Sequence, residues 1–263
     1  MWSHPRRNNP AALVFAGYME PLRRSDVLVL VPALNEEATV AAVVAGARAR
    51  LDCDVLVIND GSSDRTTDVA LAAGAMVIEH PFNLGVGAAI RTGLRVAASQ
   101  RRPYVLQLDA DGQHEPAEAQ RLLDRVQSGD ADLVVGSRFQ AGYRVSKVRG
   151  AMMSALSRVI SKRVGVEVDD TTSGFRAFGP KAIALFARYY PTVYLSDTVE
   201  ALLLASDADL RVEVVPVQMH ERQGGEPSSR RLRSALQLTR LWLVILMHPV
   251  RRPPIQRGVP DVA

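Results

Sequence analysis

The sequence contains a single cysteine, Cys53, which lies in an apolar run typical of a strand. One cysteine cannot form a disulfide within the chain, so a disulfide-stapled secreted scaffold is excluded and a reducing compartment fits. Free cysteines in apolar runs usually serve as small buried residues. We therefore expect Cys53 to pack in the core rather than act as a nucleophile.

Long hydrophobic runs are also missing, since no stretch reaches the ~18–20 apolar residues that a membrane-spanning helix needs. Two short apolar segments remain, at residues 11–17 and 241–247. The first follows basic residues, but a strand begins soon after it, so we expect residues 1–24 to be a loosely ordered extension rather than a signal peptide. The second could seal the core, form a homodimer contact or lie on a membrane surface.

Two phosphate-binding motifs are absent. No Gly-x-Gly-x-x-Gly follows the first expected strand, and no Gly-x-x-x-x-Gly-Lys-Ser/Thr occurs anywhere, which disfavours a dinucleotide oxidoreductase and a P-loop NTPase. The formal net charge is +4, and the sequence pI is about 9.5. This small excess favours anionic partners only weakly, and we expect no nucleic-acid partner.

What the chain does contain is a regular alternation of strand-like and helical segments over most of its 263 residues. The hydrophobic content of 47% is enough for a sizeable core. Alternation at this spacing predicts an α/β fold with a doubly wound, mostly parallel sheet and right-handed crossovers. The expected strands cover residues 26–34, 54–60, 75–80, the run starting at 104, 131–138 and 211–219. The expected helices cover residues 36–50, 64–73, the segment ending at 99, 116–128, 147–163 and 195–205.

The segment from Tyr104 to His114 is the centre of this pattern, because its apolar run ends in two carboxylates, Asp109 and Asp111. On an extended strand these side chains would point the same way, at the carboxyl end where open α/β sheets bind ligands. Two adjacent carboxylates repel unless a cation lies between them. With the amide oxygen of Gln113, they suit Mg²⁺ or Mn²⁺ bridging to a phosphate. An acidic turn after a strand is the structural alternative.

Other polar residues end the neighbouring strands and should share this rim. They are Pro32, Asn35 and Glu36 after the first strand, Asn59 and Asp60 after the second, and Gly136, Ser137 and Arg138 after the fifth. An acidic residue at the second strand end suits ribose hydroxyls. Structural roles remain open, because Asn35 also suits a helix N-cap and Asp60 also suits a turn.

Four motifs carry a resemblance to the family 2 glycosyltransferases, whose fold is called GT-A. They are Val31-Pro32-Ala33-Leu34-Asn35-Glu36-Glu37, Asn59-Asp60-Gly61-Ser62-Ser63-Asp64, Asn83-Leu84-Gly85 and Asp109-Ala110-Asp111-Gly112. The resemblance covers roughly residues 26–229. It implies an inverting transferase that uses a nucleotide-diphosphate sugar and a divalent metal, Mg²⁺ or Mn²⁺, at the Asp-x-Asp.

Within that family the chain most resembles the dolichol- or polyprenol-phosphate mannose or glucose synthases, through motifs at residues 136–139, 146–150 and 172–178. The resemblance implies that Asp109, Asp111 and Gln113 hold the metal, that Arg138 and Arg149 meet the acceptor phosphate, and that Arg222 clamps the diphosphate. Nucleotide-sugar contacts are expected from Pro32, Leu34, Asn35, Glu36, Asp60, Asn83, Asp109, Ala110 and Asp111.

We therefore expect an enzyme that moves a hexose to a polyprenyl phosphate and is cytoplasmic, attached peripherally to the inner face of the membrane. The expected transferase domain covers residues 25–229, followed by a basic and apolar helix and tail at 230–263. The amphipathic segment 147–163 could lie at the interface or pack on the core. Alternatives are a saccharide or other hydroxyl acceptor, with Asp197 as general base, and a nucleotide-sugar-binding protein without turnover.

Overall fold

The computed structural model describes residues 25–114, 116–138, 157–168, 173–192 and 197–218. Its seven strands are β1 (Val27–Ala33), β2 (Cys53–Asn59), β3 (Met76–Glu79), β4 (Tyr104–Gln107), β5 (Leu133–Arg138), β6 (Arg176–Phe178) and β7 (Val212–Val217). The helices are α1 (Val40–Arg50), α2 (Thr66–Ala72), α3 (Val86–Ser99), α4 (Pro116–Gln127), α5 (described over 157–164), α6 (Pro180–Tyr189) and α7 (Asp197–Asp207).

The seven strands form one sheet in the order β3-β2-β1-β4-β6-β5-β7. Six strands run the same way, because β1 pairs in parallel with β2 and β4, β2 with β3, and β5 with β7. The exception is β6, which is antiparallel to both β4 and β5. The mostly parallel sheet is confirmed. Strand β6 was not anticipated, because three residues are too few to show a periodicity.

Helices cover both faces of the sheet, as a doubly wound fold requires. Alternate residues of β1 enter opposite clusters: Leu28 and Leu30 pack with α3, α6 and α7, whereas Val29 and Val31 pack with α1 and α4. The cores on the two faces therefore follow directly from the period-two direction of strand side chains.

Two local expectations are wrong. Helix α1 begins at Val40 rather than at residue 36, and Asn35 is not its N-cap, because the backbone turns at residues 37–39 before the helix starts. Strand β4 ends at Gln107, so Asp109 and Asp111 lie in the turn beyond the strand. Their placement therefore follows from that turn and not from strand alternation.

Two absences in the sequence have structural counterparts. Within the described ranges, no helix combines the length and apolar character needed to cross a bilayer. Burial raises the pKa of the Cys53 thiol to about 11. That thiol therefore stays protonated near neutral pH, in agreement with the expectation that it is no nucleophile.

Candidate active site

The candidate site lies along one edge of the sheet, where the parallel strands reach their carboxyl ends. The loops that follow β1, β2, β3 and β4 all leave the sheet at this edge. From β1 the chain moves outward to β2 and β3 on one side, and after β3 it crosses back to β4 on the other side of β1, so the topological switch point lies between β1 and β4. Ligands of open α/β sheets bind at such a point.

The loops after β1 and β2 are joined through Asn35. Its backbone N–H donates to Ser62 Oγ at 2.9 Å, and its side-chain Oδ1 accepts from the Ser63 N–H at 2.9 Å. Asn35 has a φ of 56°, in the left-handed region that asparagine tolerates better than most residues. Its amide therefore holds two loops together, a role different from the expected N-cap.

Glu36 is buried in the same junction, at 8% exposure. Its N–H donates to Thr66 Oγ1 at 2.9 Å, and its Oε2 accepts from Thr39 Oγ1 at 2.9 Å. Two neighbours from the same motif differ from it: Pro32 is buried within β1, while Leu34 is 39% exposed on the rim. The first motif thus contributes both structural contacts and an exposed apolar surface.

Asp60 organises the loop after β3. Its Oδ1 accepts from Leu84 N–H at 3.0 Å and lies 2.7 Å from His80 Nδ1, and its Oδ2 accepts from Gly85 N–H at 2.8 Å. The carboxylate is 4% exposed. These bonds fix the Asn83–Gly85 segment beside the end of β2, where the sequence places a ribose contact.

Asn83 shapes the same loop from inside, because its Oδ1 accepts the Gly85 N–H at 2.9 Å. Three large apolar side chains are exposed in the described part of the chain: Leu34 at 39%, Phe82 at 63% and Leu84 at 43%. All three lie on the loops of this edge. The site therefore combines polar groups with an apolar rim.

The Asp-x-Asp turn follows β4. The Gln113 N–H donates to Asp111 Oδ1 at 3.1 Å, and Gly112 has a φ of 74°, which glycine adopts without strain. Ala110 and Asp111 are buried at 3% and 7% exposure. The turn thus has a defined conformation that brings both carboxylates to the edge of the sheet.

Asp109 is enclosed by residues that are distant in sequence. Its N–H donates to His114 Nδ1 at 3.1 Å, and its Oδ2 lies 3.6 Å from His114 Nε2. A β-carbon at position 174 would lie 2.6 Å from Asp109 Oδ1, so only glycine leaves the carboxylate in place. Phe175, the next residue, stacks on the His114 ring at a centroid distance of 4.5 Å.

The donor atoms of this turn suit a hard divalent cation. Among the residues that the structure describes, no three His, Cys, Asp or Glu side chains are placed to hold an ion together. Asp109, Asp111 and Gln113 nevertheless offer carboxylate and amide oxygens from one short turn, the ligands that Mg²⁺ and Mn²⁺ take. Such ions keep several positions for water and substrate phosphates, so a small protein ligand set fits. The lack of a side chain at Gly174 also lets the Asp109 carboxylate keep its position in this turn.

Asp197 approaches the site from α7. It is 6% exposed, and its β-carbon would lie 3.3 Å from a β-carbon at Gly87, in the first turn of α3. Burial raises the pKa of Asp197, and the opposing positive charge of Arg176 offsets only part of that effect. A carboxyl with a raised pKa is a better proton acceptor, which suits the general-base role considered for it.

Arg176 is buried at 1% exposure in β6. Its Nε donates to the Ser173 carbonyl at 3.1 Å and its Nη1 to the Tyr190 hydroxyl at 3.0 Å. Burial raises the pKa of Tyr190, so the phenol stays neutral and accepts this bond. Arg176 therefore links the turn at Ser173 to the end of α6.

The remaining expected residues are placed only in part. Arg138 is the last residue of β5, in register with Val217 of β7, and so belongs to the same edge. Arg149 and Arg222 lie outside the described residues. The structure thus brings the candidates after β1, β2, β3 and β4 to one edge of the sheet. Asp197, the first residue of α7, lies against the first turn of α3.

Sequence reasoning missed His80, His114, Gly174 and Arg176 as parts of this edge. His114 adjoins the Asp-x-Asp, and Gly174 and Arg176 lie in a motif of the resemblance, so proximity to motifs was the available signal. Their contacts join residues 5 apart for His114 and Asp109, 14 apart for Arg176 and Tyr190, and 20 apart for His80 and Asp60, while Gly174 meets Asp109 from a distant segment. No local pattern predicts such contacts.

The chain is similar to known proteins of one family. Residues 28–185 match the model of the family described as glycosyl transferase family 2. This match spans more than half of the chain, and the chain belongs to that family. It is a glycosyltransferase, as the resemblance implied.

Relatives with named activities include two whose names give a polyprenyl acceptor. The chain is 33% identical to a polyprenol monophosphomannose synthase of Mycolicibacterium smegmatis over 172 residues, which is 61% of this chain and 63% of that protein. It is 28% identical to an undecaprenyl-phosphate mannosyltransferase of Micrococcus luteus over 210 residues, which is 76% of this chain and 86% of that protein.

Among solved structures, the chain is similar to glucosyl-3-phosphoglycerate synthase from Mycobacterium tuberculosis in complex with Mn²⁺, uridine diphosphate and glucosyl-3-phosphoglycerate. The TM-score is 0.58 at 22% identity, covering 90% of this chain and 81% of that one. At this identity the likeness establishes the fold, and the expected GT-A fold is confirmed.

Proposed function

We propose that this glycosyltransferase moves a hexose from a nucleotide-diphosphate sugar to a polyprenyl phosphate. The observation that carries the proposal is the similarity to an undecaprenyl-phosphate mannosyltransferase along 76% of this chain. A polyprenol monophosphomannose synthase, named for the same class of acceptor, matches independently. The edge described above supplies the donor site that such a reaction needs.

The donor nucleotide occupies the edge formed by the loops after β1 and β2. In this proposal, Pro32, Leu34, Asn35 and Glu36 border the base, and Asp60 faces the ribose. Asn83, Asp109, Ala110 and Asp111 complete the contacts. The hydrogen bonds of Asp60 to Leu84 and Gly85 support this arrangement, because they hold the loop in place before the donor arrives.

Asp109, Asp111 and Gln113 would hold Mg²⁺ or Mn²⁺ beside the donor diphosphate. When bound, such an ion supplies positive charge that stabilises the leaving diphosphate. Arg222 adds a guanidinium to the same diphosphate, since its two-pronged geometry matches phosphate oxygens. The neighbouring solved structure contains Mn²⁺ with uridine diphosphate, which supports a divalent ion here.

The acceptor phosphate attacks the anomeric carbon from the face opposite the diphosphate, so the configuration inverts. Arg138 and Arg149 hold that phosphate through charge-assisted hydrogen bonds. A phosphate is already ionised near neutral pH, so no side chain has to remove a proton. In this reaction Asp197 orders the site through its contacts with α3.

The acceptor chemistry places the enzyme at a membrane surface. A polyprenyl chain stays in the bilayer, so the protein must approach the lipid headgroups from the cytoplasmic side. The basic residues at 230–233 and the apolar run at 241–247 are suited to peripheral attachment. A homodimer through the same segment is compatible with this attachment.

A hydroxyl acceptor is the second candidate, and the raised pKa of Asp197 favours it. A saccharide hydroxyl must lose a proton during transfer, and a buried carboxylate near the start of α3 is a suitable base. In that case the donor site is unchanged and only the acceptor differs.

The test offers several labelled nucleotide sugars to the full chain with membranes and follows the label. We expect the label to enter a lipid from which mild acid releases the labelled sugar. This transfer should require the divalent ion. Label in a product that resists mild acid and contains a saccharide would support the hydroxyl acceptor. Donor binding without any transfer would contradict both enzymatic proposals and support a nucleotide-sugar-binding protein.

A further inference from the structure

We propose that His114 is a positioning residue that holds the Asp109 carboxylate in the orientation in which it meets a divalent cation. The proposal rests on the function proposed above and adds a residue to its metal site. His114 is 7% exposed and lies directly after the Asp-x-Asp turn. Its Nδ1 is hydrogen-bonded to the Asp109 backbone, and its Nε2 lies 3.6 Å from the Asp109 carboxylate.

The first contact sets the state of the ring. Nδ1 accepts a hydrogen bond from the Asp109 N–H at 3.1 Å. A neutral imidazole whose Nδ1 accepts a hydrogen bond carries its proton on Nε2. His114 therefore carries its proton on Nε2, which lies 3.6 Å from Asp109 Oδ2, close to the carboxylate but beyond hydrogen-bond distance.

Stacking on Phe175 fixes the orientation of the ring. The imidazole stacks on Phe175 with a centroid distance of 4.5 Å and an interplanar angle of 12°. Phe175 precedes Arg176, whose Nε donates to the Ser173 carbonyl at 3.1 Å. The buried guanidinium thus locks the turn on which the ring rests.

Gly174, in the same turn, limits the carboxylate from the other side. A β-carbon there would lie 2.6 Å from Oδ1 and 2.8 Å from Oδ2 of Asp109. The carboxylate is therefore confined between the imidazole and the backbone of residue 174. Confinement of a ligand before the ion arrives reduces the entropy lost on binding, and loss of such an outer contact commonly weakens metal affinity by about 10- to 100-fold.

The experiment measures Mn²⁺ binding by calorimetry and by electron paramagnetic resonance, with UDP or GDP present. It compares the full wild-type chain with His114→Phe, which keeps the stacking surface and loses both nitrogens. We expect His114→Phe to weaken Mn²⁺ binding by about 10- to 100-fold. His114→Gln, whose amide nitrogen reaches the place of Nε2, should stay nearer to the wild type. Gly174→Ala should also weaken Mn²⁺ binding, because it displaces the carboxylate.

Leu94→Ala is the control. Leu94 is fully buried in the apolar cluster on the opposite face of the sheet from Phe175. This variant should lower the melting temperature without changing Mn²⁺ affinity, so a general loss of stability is separated from a local effect. If His114→Phe does not fold, His114→Asn replaces it. Asparagine keeps an acceptor for the Asp109 N–H and has no donor at the position of Nε2.

The outcomes separate this proposal from the proposed function. Mn²⁺ affinity in the His114 variants equal to that of the wild type overturns the positioning role, even if lipid glycosylation proceeds. A wild-type chain that binds nucleotide but no Mn²⁺ overturns the metal assignment and the role of His114 together. Normal Mn²⁺ binding that depends on His114, without transfer to lipid, supports this proposal and contradicts only the polyprenyl-phosphate acceptor.

Discussion

At the scale of single residues, Asp111 is the clearest test of the metal assignment. We expect Asp111→Ala to reduce transfer below detection while the fold survives, because one of few charged ligands is lost and the hydrogen bond from the Gln113 N–H to its carboxylate lies within the same short turn. Labelled-sugar transfer and circular dichroism measure the two effects. Asp130→Ala, at an exposed position, is the control. Substantial turnover by a folded Asp111→Ala protein would remove Asp111 from the metal site.

A pair of substitutions distinguishes the two acceptors. If a lipid phosphate attacks, Asp197→Asn should keep substantial activity and Arg149→Ala should lose most of it. If a hydroxyl attacks, Asp197→Asn should lose about 10²–10⁴-fold, the usual contribution of a general base. We expect the first pattern, measured with matched assays at saturating donor. The reverse pattern would reject the polyprenyl-phosphate acceptor and leave the glycosyltransferase activity intact.

Asp197 also makes stability depend on pH. Burial raises its pKa in the folded state, so the folded protein binds this proton more tightly than the unfolded chain. The associated stabilisation is present below the unfolded pKa, ~3.9, and is lost as the pH rises through the folded pKa. We expect the wild type to gain stability relative to Asp197→Asn as the pH falls from neutral toward 4. Urea unfolding of both proteins at several pH values measures the difference, and a constant difference would contradict the effect of burial.

At the scale of elements, the first turn of α3 depends on a close approach by the chain that follows α6. A β-carbon at Gly87 would lie 2.3 Å from the Pro191 carbonyl oxygen and 3.2 Å from the Thr192 Cα. These are backbone atoms, so they cannot rotate away as a flexible side chain would. Gly87 therefore lets α3 lie against this segment and against Asp197.

We expect Gly87→Ala to destabilise the protein by about 1–3 kcal/mol, the usual cost of overpacking. Helix propensity alone predicts the opposite, since alanine is favoured over glycine by about 1 kcal/mol within a helix. The free energy of unfolding in urea decides between them. Ala98→Gly, at an exposed position of the same helix, is the control and should destabilise by propensity alone. Stabilisation by Gly87→Ala would show that the two segments can separate.

At the scale of the whole molecule, the proposed acceptor requires the protein to approach a membrane. We propose that the transferase domain covers residues 25–229 and that the basic residues after it supply the attachment. Each Lys or Arg near an anionic surface contributes about 1 kcal/mol. Attachment should therefore weaken with salt.

The measurement is co-sedimentation with vesicles that contain anionic lipids. Replacing Arg230, Arg231 and Arg233 with glutamine should reduce binding strongly. The control replaces Arg50, Arg65 and Arg95, which are exposed on the described domain, and produces the same change in net charge. An equal loss of binding in both triple variants would attribute attachment to net charge and contradict a local role of the 230–233 segment.

The sequence by itself determined the class of fold, the position of most strands and helices, and the family. Buried strands of β-branched residues and amphipathic helices are local patterns, and the hydrophobic effect that they satisfy acts on short segments. The motifs after β1, β2 and β4 predicted the candidate site at this edge for the same reason. Each motif is a strand end followed by residues with a particular chemistry.

Only the tertiary structure decided what surrounds those residues. Asn35 joins two loops instead of capping a helix, Asp60 holds the loop after β3, and Asp109 lies beside His114 and Gly174. Strand β6 lies between β4 and β5, although it begins about 70 residues after the end of β4. It places Arg176 in the core. These arrangements depend on the packing of distant segments against one another, and no local periodicity encodes the distance between two side chains that meet only after the chain has folded.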